Sequence, residues 1–468
     1  MKKTENVPRV MIAGANSGSG KTTITCGIIG ALISENMRVS SFKCGGDYID
    51  PLFHSEFLGA TSSNIDLFLH SENTVNYLLY KNSKSSDISI IEGAMGFYDG
   101  LGGVSEEKSA FDISQRTKTP VILVVNCKGM SVSIAAQING YLQYRENNIK
   151  AVILNNISKM LYPKIKEKIE NELGIEVVGF LEHNGDIVFG DRKLGLIPLW
   201  EQKEKAINKI KVLVEMAKKS LDIEEIKRIA NSAQPIVFDD DFQKSFVQAI
   251  KNKNAKLKIA VPKDKAFCFC YNDNIDVLKS LGAEIVSFSP LADKNIPENI
   301  DGIYFCGGFI EEFAKELSEN NDLKNEIKQQ LEKGLPAFCE GGGYVYLSKS
   351  YEKLGGEKFQ LVGFFGNECF ENNALRRFGY MNITANYPTT ILRKGESVNC
   401  HSFHYTDCKT MGNALTVEKA TKGKSWQCGE QKENTFGSFG YINFYSNLQV
   451  AKNFLSACKD YSNKIKNR

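Results

Sequence analysis

No apolar run in the 468 residues reaches the roughly 18 needed to cross a bilayer, so the sequence predicts no membrane association. An excess of one charge is missing too. With 58 basic and 55 acidic residues and a net charge of +3, composition points to no nucleic-acid partner, and the basic end Lys459–Arg468 reads as a solvated terminus. Neither an internal repeat nor a low-complexity tract is present, which favours two unlike domains over a duplication. The polar stretch Met1–Arg9 leads straight into an apolar strand, so no export signal is expected and the chain should be cytoplasmic. Twelve cysteines lie scattered without zinc-ribbon spacing, as reduced thiols would in a reducing compartment. Cys268 and Cys270 sit two apart in an apolar run and read as strand residues. Histidine is scarce: any histidine base must be His54, His70, His183, His401 or His404.

What is present is a globular composition, 42% hydrophobic and 24% charged, on a chain too long for one ordinary core. The first half alternates β-branched runs with helical patterns. Candidate strands are Arg9–Ala13, Val39–Lys43, Ile88–Glu92, Val121–Asn126, Ala151–Asn155 and Glu176–Leu181, each apolar enough to be buried on both faces of a parallel sheet. Between about Trp200 and Lys256 the pattern turns lysine- and glutamate-rich and then polar, which places a linker near Ser232–Asn254. A second series follows: Leu257–Val261, Glu284–Phe288, Gly302–Phe305 and Pro336–Cys339. Two α/β domains, 1–235 and 257–468, are expected.

Strand Arg9–Ala13 runs into Gly14-Ala15-Asn16-Ser17-Gly18-Ser19-Gly20-Lys21-Thr22-Thr23 and then a helical pattern. This is the context of a P-loop, whose backbone N–H groups and helix N-terminus face a nucleotide phosphate. Gly14, Asn16, Ser17, Gly18, Ser19, Gly20, Lys21, Thr22 and Thr23 are the candidate ATP contacts. The first glycine precedes the Gly-Lys pair by six positions, one more than in the commoner pattern. Lys21 can neutralise the β- and γ-phosphates. Thr22, Asp47 and Glu92 form an oxygen set suited to Mg²⁺, the two acids falling at or just beyond strand ends.

Phe42-Lys43-Cys44-Gly45-Gly46-Asp47-Tyr48-Ile49-Asp50-Pro51-Leu52-Phe53-His54 closely resembles a segment of the cobyrinic acid a,c-diamide synthases. Asn64-Ile65-Asp66, Ile91 to Gly100, Gly195-Leu196-Ile197-Pro198, Ala266 to Phe269 and Phe288 to Asp293 resemble further blocks of that family, in family order. The resemblance implies a doubly wound P-loop domain like dethiobiotin synthetase, joined to a flavodoxin-like α/β domain of class I glutamine amidotransferase type. It implies an ATP-dependent carbon–nitrogen ligase that amidates acetate side chains of cobyrinic acid or a related tetrapyrrole, with ATP and Mg²⁺. Asp47, Tyr48, Asp50 and Asp66, with Lys21, would lie at the phosphoryl-transfer site. The implied partner is a tetrapyrrole polycarboxylate, and the oligomeric state, homodimer included, stays open.

The second domain departs from the family pattern. Members carry Glu-Cys-Gly-Gly where this chain has Glu340-Gly341-Gly342-Gly343, so Gly341 stands at the nucleophile's position. Tyr441 stands at the histidine's position in Gly437 to Phe444, and Asn443 replaces a second histidine. Cys339 could serve only with a two-residue slip of roughly 6.6 Å along the strand, so it reads as a buried strand residue. His401 and His404 are read as structural or substrate-facing. Ammonia is therefore expected from solution or from a separate glutaminase. The alternative reading is a diverged P-loop ATPase that binds a tetrapyrrole or partner protein without amidating anything.

Overall fold

The computed structural model describes residues 2–185, 203–242, 257–421 and 423–466. Contacts divide the chain into two compact units, Met1–Asp240 and Asp241–Arg468.

The first unit contains strands β1 (Lys2–Glu5), β2 (Arg9–Gly14), β3 (Val39–Cys44), β4 (Thr61–Ile65), β5 (Ile88–Glu92), β6 (Val121–Asn126), β7 (Ile149–Asn155), β8 (Glu176–Leu181) and β9 (Ile236–Asp239). Seven of them form a fully parallel sheet in the order β4-β3-β5-β2-β6-β7-β8. Every residue of β2, β3 and β5 is buried, because crossover helices cover both faces. Those helices are α1 (Lys21–Ser34), α2 (Ile49–Glu56), α3 (Glu72–Ser83), α4 (Ala110–Arg116), α5 (Ser133–Tyr144), α6 (Tyr162–Leu173), α7 (Lys203–Ser220) and α8 (Ile223–Asn231). Their starts follow local chemistry: Ser71 and Asp222 accept backbone N–H bonds of Thr74 and Glu225 and so cap α3 and α8.

Two sequence expectations change here. The seventh strand, β4, was not anticipated: its sequence Thr61-Ser62-Ser63-Asn64-Ile65 has no apolar run, yet four of the five residues are buried. Hydroxyl pairing substitutes for hydrophobicity, as in the 2.5 Å Ser41–Ser62 contact, and Asn64 Nδ2 donates to the Gly45 and Asp47 carbonyls. The expected linker near Ser232–Asn254 also contains β9, which pairs antiparallel with β1; residues 243–256 lie outside the described residues.

The second unit has strands β10 (Leu257–Pro262), β11 (Ala283–Phe288), β12 (Gly302–Phe305), β13 (Ala337–Glu340), β14 (Ser350–Glu352), β15 (Lys358–Gln360), β16 (Glu368–Ala385), β17 (Ser397–Cys408), β18 (Leu415–Lys419), β19 (Ser425–Cys428), β20 (Glu430–Lys432) and β21 (Thr435–Ser438). One sheet runs β11-β10-β12-β13-β21-β20. Its first five strands are parallel in flavodoxin-like order, and β20 closes it antiparallel. The other is a mostly antiparallel sheet, β15-β14-β16-β18-β19, with β17 also paired to β16. Neither β21 nor this second sheet was expected, since its strands are half-exposed and carry many polar residues. Cys268 and Cys270 do not lie in a strand. They occupy the loop after β10, half-buried, on either side of a single bridge between Phe269 and Gly307.

Candidate functional site

The loop after β2 turns into α1 without a side-chain cap; Gly20, at φ +93°, makes the turn. A Cβ at Gly20 would lie 2.0 Å from Asn155 Nδ2, which donates to the Ser19 carbonyl at 3.0 Å, so neither backbone nor space admits a side chain. Asn16, Ser17 and Gly18 are exposed, whereas Ser19 is fully buried and its hydroxyl has no partner among the described residues. The Lys21 ammonium is folded over the loop, donating to the Met95 carbonyl at 2.5 Å and the Asn16 carbonyl at 3.2 Å. Thr22 and Thr23 follow in the first turn of α1, both half-buried. Gly14 ends β2, and a Cβ there would overlap Ser19 and Lys21. The arrangement suits a polyphosphate: backbone donors, a buried unpaired hydroxyl and a cation that can trade carbonyls for phosphate oxygens.

Beside this loop is a buried polar cluster. Thr22 Oγ1 donates to Glu92 Oε1 at 2.6 Å, and Lys43 Nζ reaches the same oxygen at 2.9 Å and Asp50 Oδ2 at 2.5 Å. His54 Nε2 lies 3.2 Å from Glu92 Oε2. Glu92 and His54 are fully buried, Lys43 nearly so, and Asp50 retains 13% side-chain exposure. Burial would push the Glu92 carboxyl up. Lys43, His54 and Thr22 outweigh it and hold the group well below the usual carboxylate range. Burial likewise opposes charge on Lys43, but Asp50, Glu92 and Asp47 keep its ammonium firmly protonated.

Lys43 and His54 stood in the family-like segment but were not singled out as site residues. The available signal was a lysine in an otherwise buried strand, which demands a carboxylate partner. Of the expected residues, the fold brings Thr22, Glu92 and Asp50 together through Lys43. Asp47 is close enough to act electrostatically on Lys43, while its Oδ1 accepts the Ile49 N–H at 2.9 Å as α2 begins. Tyr48 is the buried N-cap residue of α2. Asp66 Oδ1 accepts the Phe68 and Leu69 N–H groups and shapes the turn after β4. Thr22 and Glu92 supply hard oxygen atoms at one point, a donor set that fits Mg²⁺. Gly195 to Pro198 lie outside the described residues.

In the second unit, Gly341 forms the turn between β13 and helix Gly342–Tyr346, at φ 49° and ψ −115°. A Cβ on Gly341 would meet the Tyr441 hydroxyl at 2.1 Å, and one on Gly307 would meet it at 1.8 Å. Tyr441 is buried, and the Gly342 backbone hydrogen-bonds its hydroxyl. The phenol therefore fills the space in front of the turn. Cys339 lies two residues earlier, fully buried in β13, with its thiol pushed well above the ordinary range by burial; a reactive thiolate requires the opposite. Glu340 accepts from Tyr304 Oη at 2.6 Å and Ile442 N at 2.7 Å, yet burial raises its carboxyl to about 8. Asn443 is fully buried and its Oδ1 accepts the Tyr445 N–H. Burial lowers both His401 and His404 to about 4; His404 stacks on Phe439 at 4.2 Å and His401 bridges Tyr441 through the backbone.

Comparison with known proteins agrees with this two-unit layout. Residues 10–191 match the CobQ/CobB/MinD/ParA nucleotide binding domain, and residues 258–447 match the CobB/CobQ-like glutamine amidotransferase domain. The cobyrinate a,c-diamide synthase of Caldanaerobacter subterraneus subsp. tengcongensis is 38% identical over 458 residues, 97% of this chain and 99% of the relative. Those of Clostridium tetani and Clostridium acetobutylicum are 36% and 37% identical, each over 95% of this chain and 99% of the relative. With both domains matched and near-complete coverage of each relative, the chain belongs to the cobyrinate a,c-diamide synthase family.

Proposed function

We propose that this protein uses ATP to amidate the a and c acetate side chains of cobyrinic acid or a close tetrapyrrole relative, through an acyl phosphate. The supporting observation is the buried Thr22–Glu92–Lys43–Asp50 cluster set against the P-loop. A carboxylate resists attack by ammonia until one of its oxygens becomes a good leaving group, and phosphorylation provides that. In this reading the loop from Gly14 to Gly20 and the start of α1 hold the triphosphate, and Lys21 leaves its carbonyl partners to face the transferring phosphoryl group. Thr22 and Glu92 would hold Mg²⁺, which would supply neutralisation of phosphate charge. Lys43, locked between Asp50 and Glu92, fixes the orientation of both acids and holds positive charge near the acceptor carboxylate. Asp47 and Tyr48 lie on the same connection, while Asp66 supports it from the neighbouring turn.

Ammonia comes from solution or a separate glutaminase. A glycine at the strand-to-helix turn carries no nucleophile, and the Tyr441 phenol lies where the Cβ of any side chain at position 341 would be. The test is direct: incubate the full chain with ATP, Mg²⁺ and cobyrinic acid, adding ammonium or glutamine in parallel, and weigh the products. Amide formation with ammonium and not with glutamine is expected. ATP hydrolysis stimulated by the tetrapyrrole without amide would instead support a diverged ATPase, a reading favoured by the occluded turn alone.

A further inference from the structure

Two pairs of cysteines face each other across antiparallel backbone in the second unit, and the ladder geometry says why. Such a ladder alternates between residue pairs that exchange backbone hydrogen bonds and pairs that do not, and the latter bring their Cα atoms to about 4.5 Å. Disulfides form at Cα separations of about 4.4–6.8 Å, so cysteines at a pair without backbone bonds can be linked with little backbone movement. Phe269 N donates to the Gly307 carbonyl at 3.0 Å, in the bridge that joins the loop after β10 to the residues following β12. Cys270 and Cys306 are the next pair in that register and therefore lack backbone bonds to each other. Lys409 N donates to the Glu368 carbonyl at 2.9 Å in the β16–β17 ribbon, which puts Cys369 and Cys408 in the same situation, with sulfurs 2.6 Å apart.

The two pairs differ in access. Cys369 and Cys408 are both buried, and Asn367 Nδ2 donates to each sulfur. Cys270 is half-buried and open to a dissolved reagent, whereas Cys306 is 1% exposed. A hydrogen bond with the Cys270 sulfur, together with burial, pushes the Cys306 thiol well above the ordinary range. Cys306 is thus unreactive toward reagents in solution, yet it stands against a cysteine that they can reach. Cys268 is half-buried as well, but the same register sets it opposite Gly308. An accessible thiol backed by a second, protected one is the arrangement of a redox-responsive pair.

We propose that Cys270 and Cys306 form a reversible thiol–disulfide site whose co-substrate is a small-molecule disulfide. The Cys270 thiolate attacks one sulfur of the reagent, the reagent's sulfur–sulfur bond breaks, and the departing thiolate takes up the proton that Cys270 gave up. The Cys306 sulfur then attacks the Cys270 sulfur, expels the second reagent thiolate and passes its proton to it. Two electrons and two protons move from the protein pair to the reagent, which leaves as two thiols. The link fastens the loop after β10 beside Gly307, the backbone against which the Tyr441 hydroxyl rests. Neither nucleotide nor tetrapyrrole takes part, so the site is independent of the amidation reading.

The experiment incubates the reduced full chain with oxidised glutathione, blocks the remaining thiols with N-ethylmaleimide and maps the unreduced digest by mass spectrometry. A Cys270–Cys306 linked peptide should appear, on the order of tenfold faster than any Cys369–Cys408 link, and dithiothreitol should reverse it. Cys306→Ser should stop at glutathione bound to Cys270, Cys270→Ser should lose the link, and Cys268→Ser should form it as the parent does. Mapping the parent needs no substitution, so the test survives a variant that fails to fold. A parent that holds glutathione on Cys270 without closing the link would overturn the assignment. So would a Cys268–Cys306 link in its place, or a Cys369–Cys408 link that forms first.

Discussion

A methyl group placed at Gly341 should be costly for two separable reasons, and the structure says how to separate them. The backbone there, φ 49° and ψ −115°, is one that an L residue adopts only at about 1–3 kcal/mol. The added Cβ would also sit 2.1 Å from the Tyr441 hydroxyl and 2.3 Å from Cζ, an overlap worth roughly another 1–3 kcal/mol. Gly341→Ala should therefore destabilise the second unit by about 2–6 kcal/mol. Tyr441→Ala removes the obstacle at the expense of a cavity, about 3–5 kcal/mol by itself. In that background Gly341→Ala should cost only the backbone part, so the two substitutions should be coupled by about 1–3 kcal/mol. Urea unfolding followed by Trp426 fluorescence, in a Trp200→Phe background, reports on the second unit, because Trp426 lies in β19. Additive effects would show that the phenol does not occupy the space in front of the turn, and the argument for an occluded site would fail with it.

Other consequences are as specific. Lys43→Met should destabilise the first unit by about 3–5 kcal/mol, because it leaves Glu92 and Asp50 buried without their cation, whereas Lys43→Met/Glu92→Met should recover part of that loss; chemical denaturation of the pair decides. Lys21→Ala should lower ATP turnover at least about a hundredfold while leaving the thermal unfolding of the first unit near that of the parent, as read by phosphate release and calorimetry. Glu92 is held below its ordinary value of 4.5, so its stabilisation is complete above that pH and is lost as the pH falls through its folded value. Unfolding measured below pH 4.5 should show a steeper loss for the parent than for Glu92→Gln. Glu340 behaves oppositely: raised from 4.5 to about 8, it binds more protons folded than unfolded, so the second unit should lose on the order of a few kcal/mol as pH rises across that interval. Glu340→Gln should flatten this slope.

The sequence alone determined the succession of buried parallel strands, the strand–loop–helix around Lys21 and the placement of acids near the strand ends, because these depend on local periodicity and on spacing within a few residues. It did not disclose β4, whose buried serines and asparagine satisfy one another across strands, nor the second sheet, whose half-exposed strands lack a clear alternation. Lys43 and His54 were visible as letters, but their roles depend on Asp50 and Glu92 arriving from other elements. Only the tertiary structure could bring together residues 43, 50, 54 and 92, because a buried charge acquires meaning from partners distant in the chain. The same holds for residues 341 and 441. The sequence showed a glycine and a tyrosine a hundred positions apart, and packing put the phenol where a side chain at the turn would have to be.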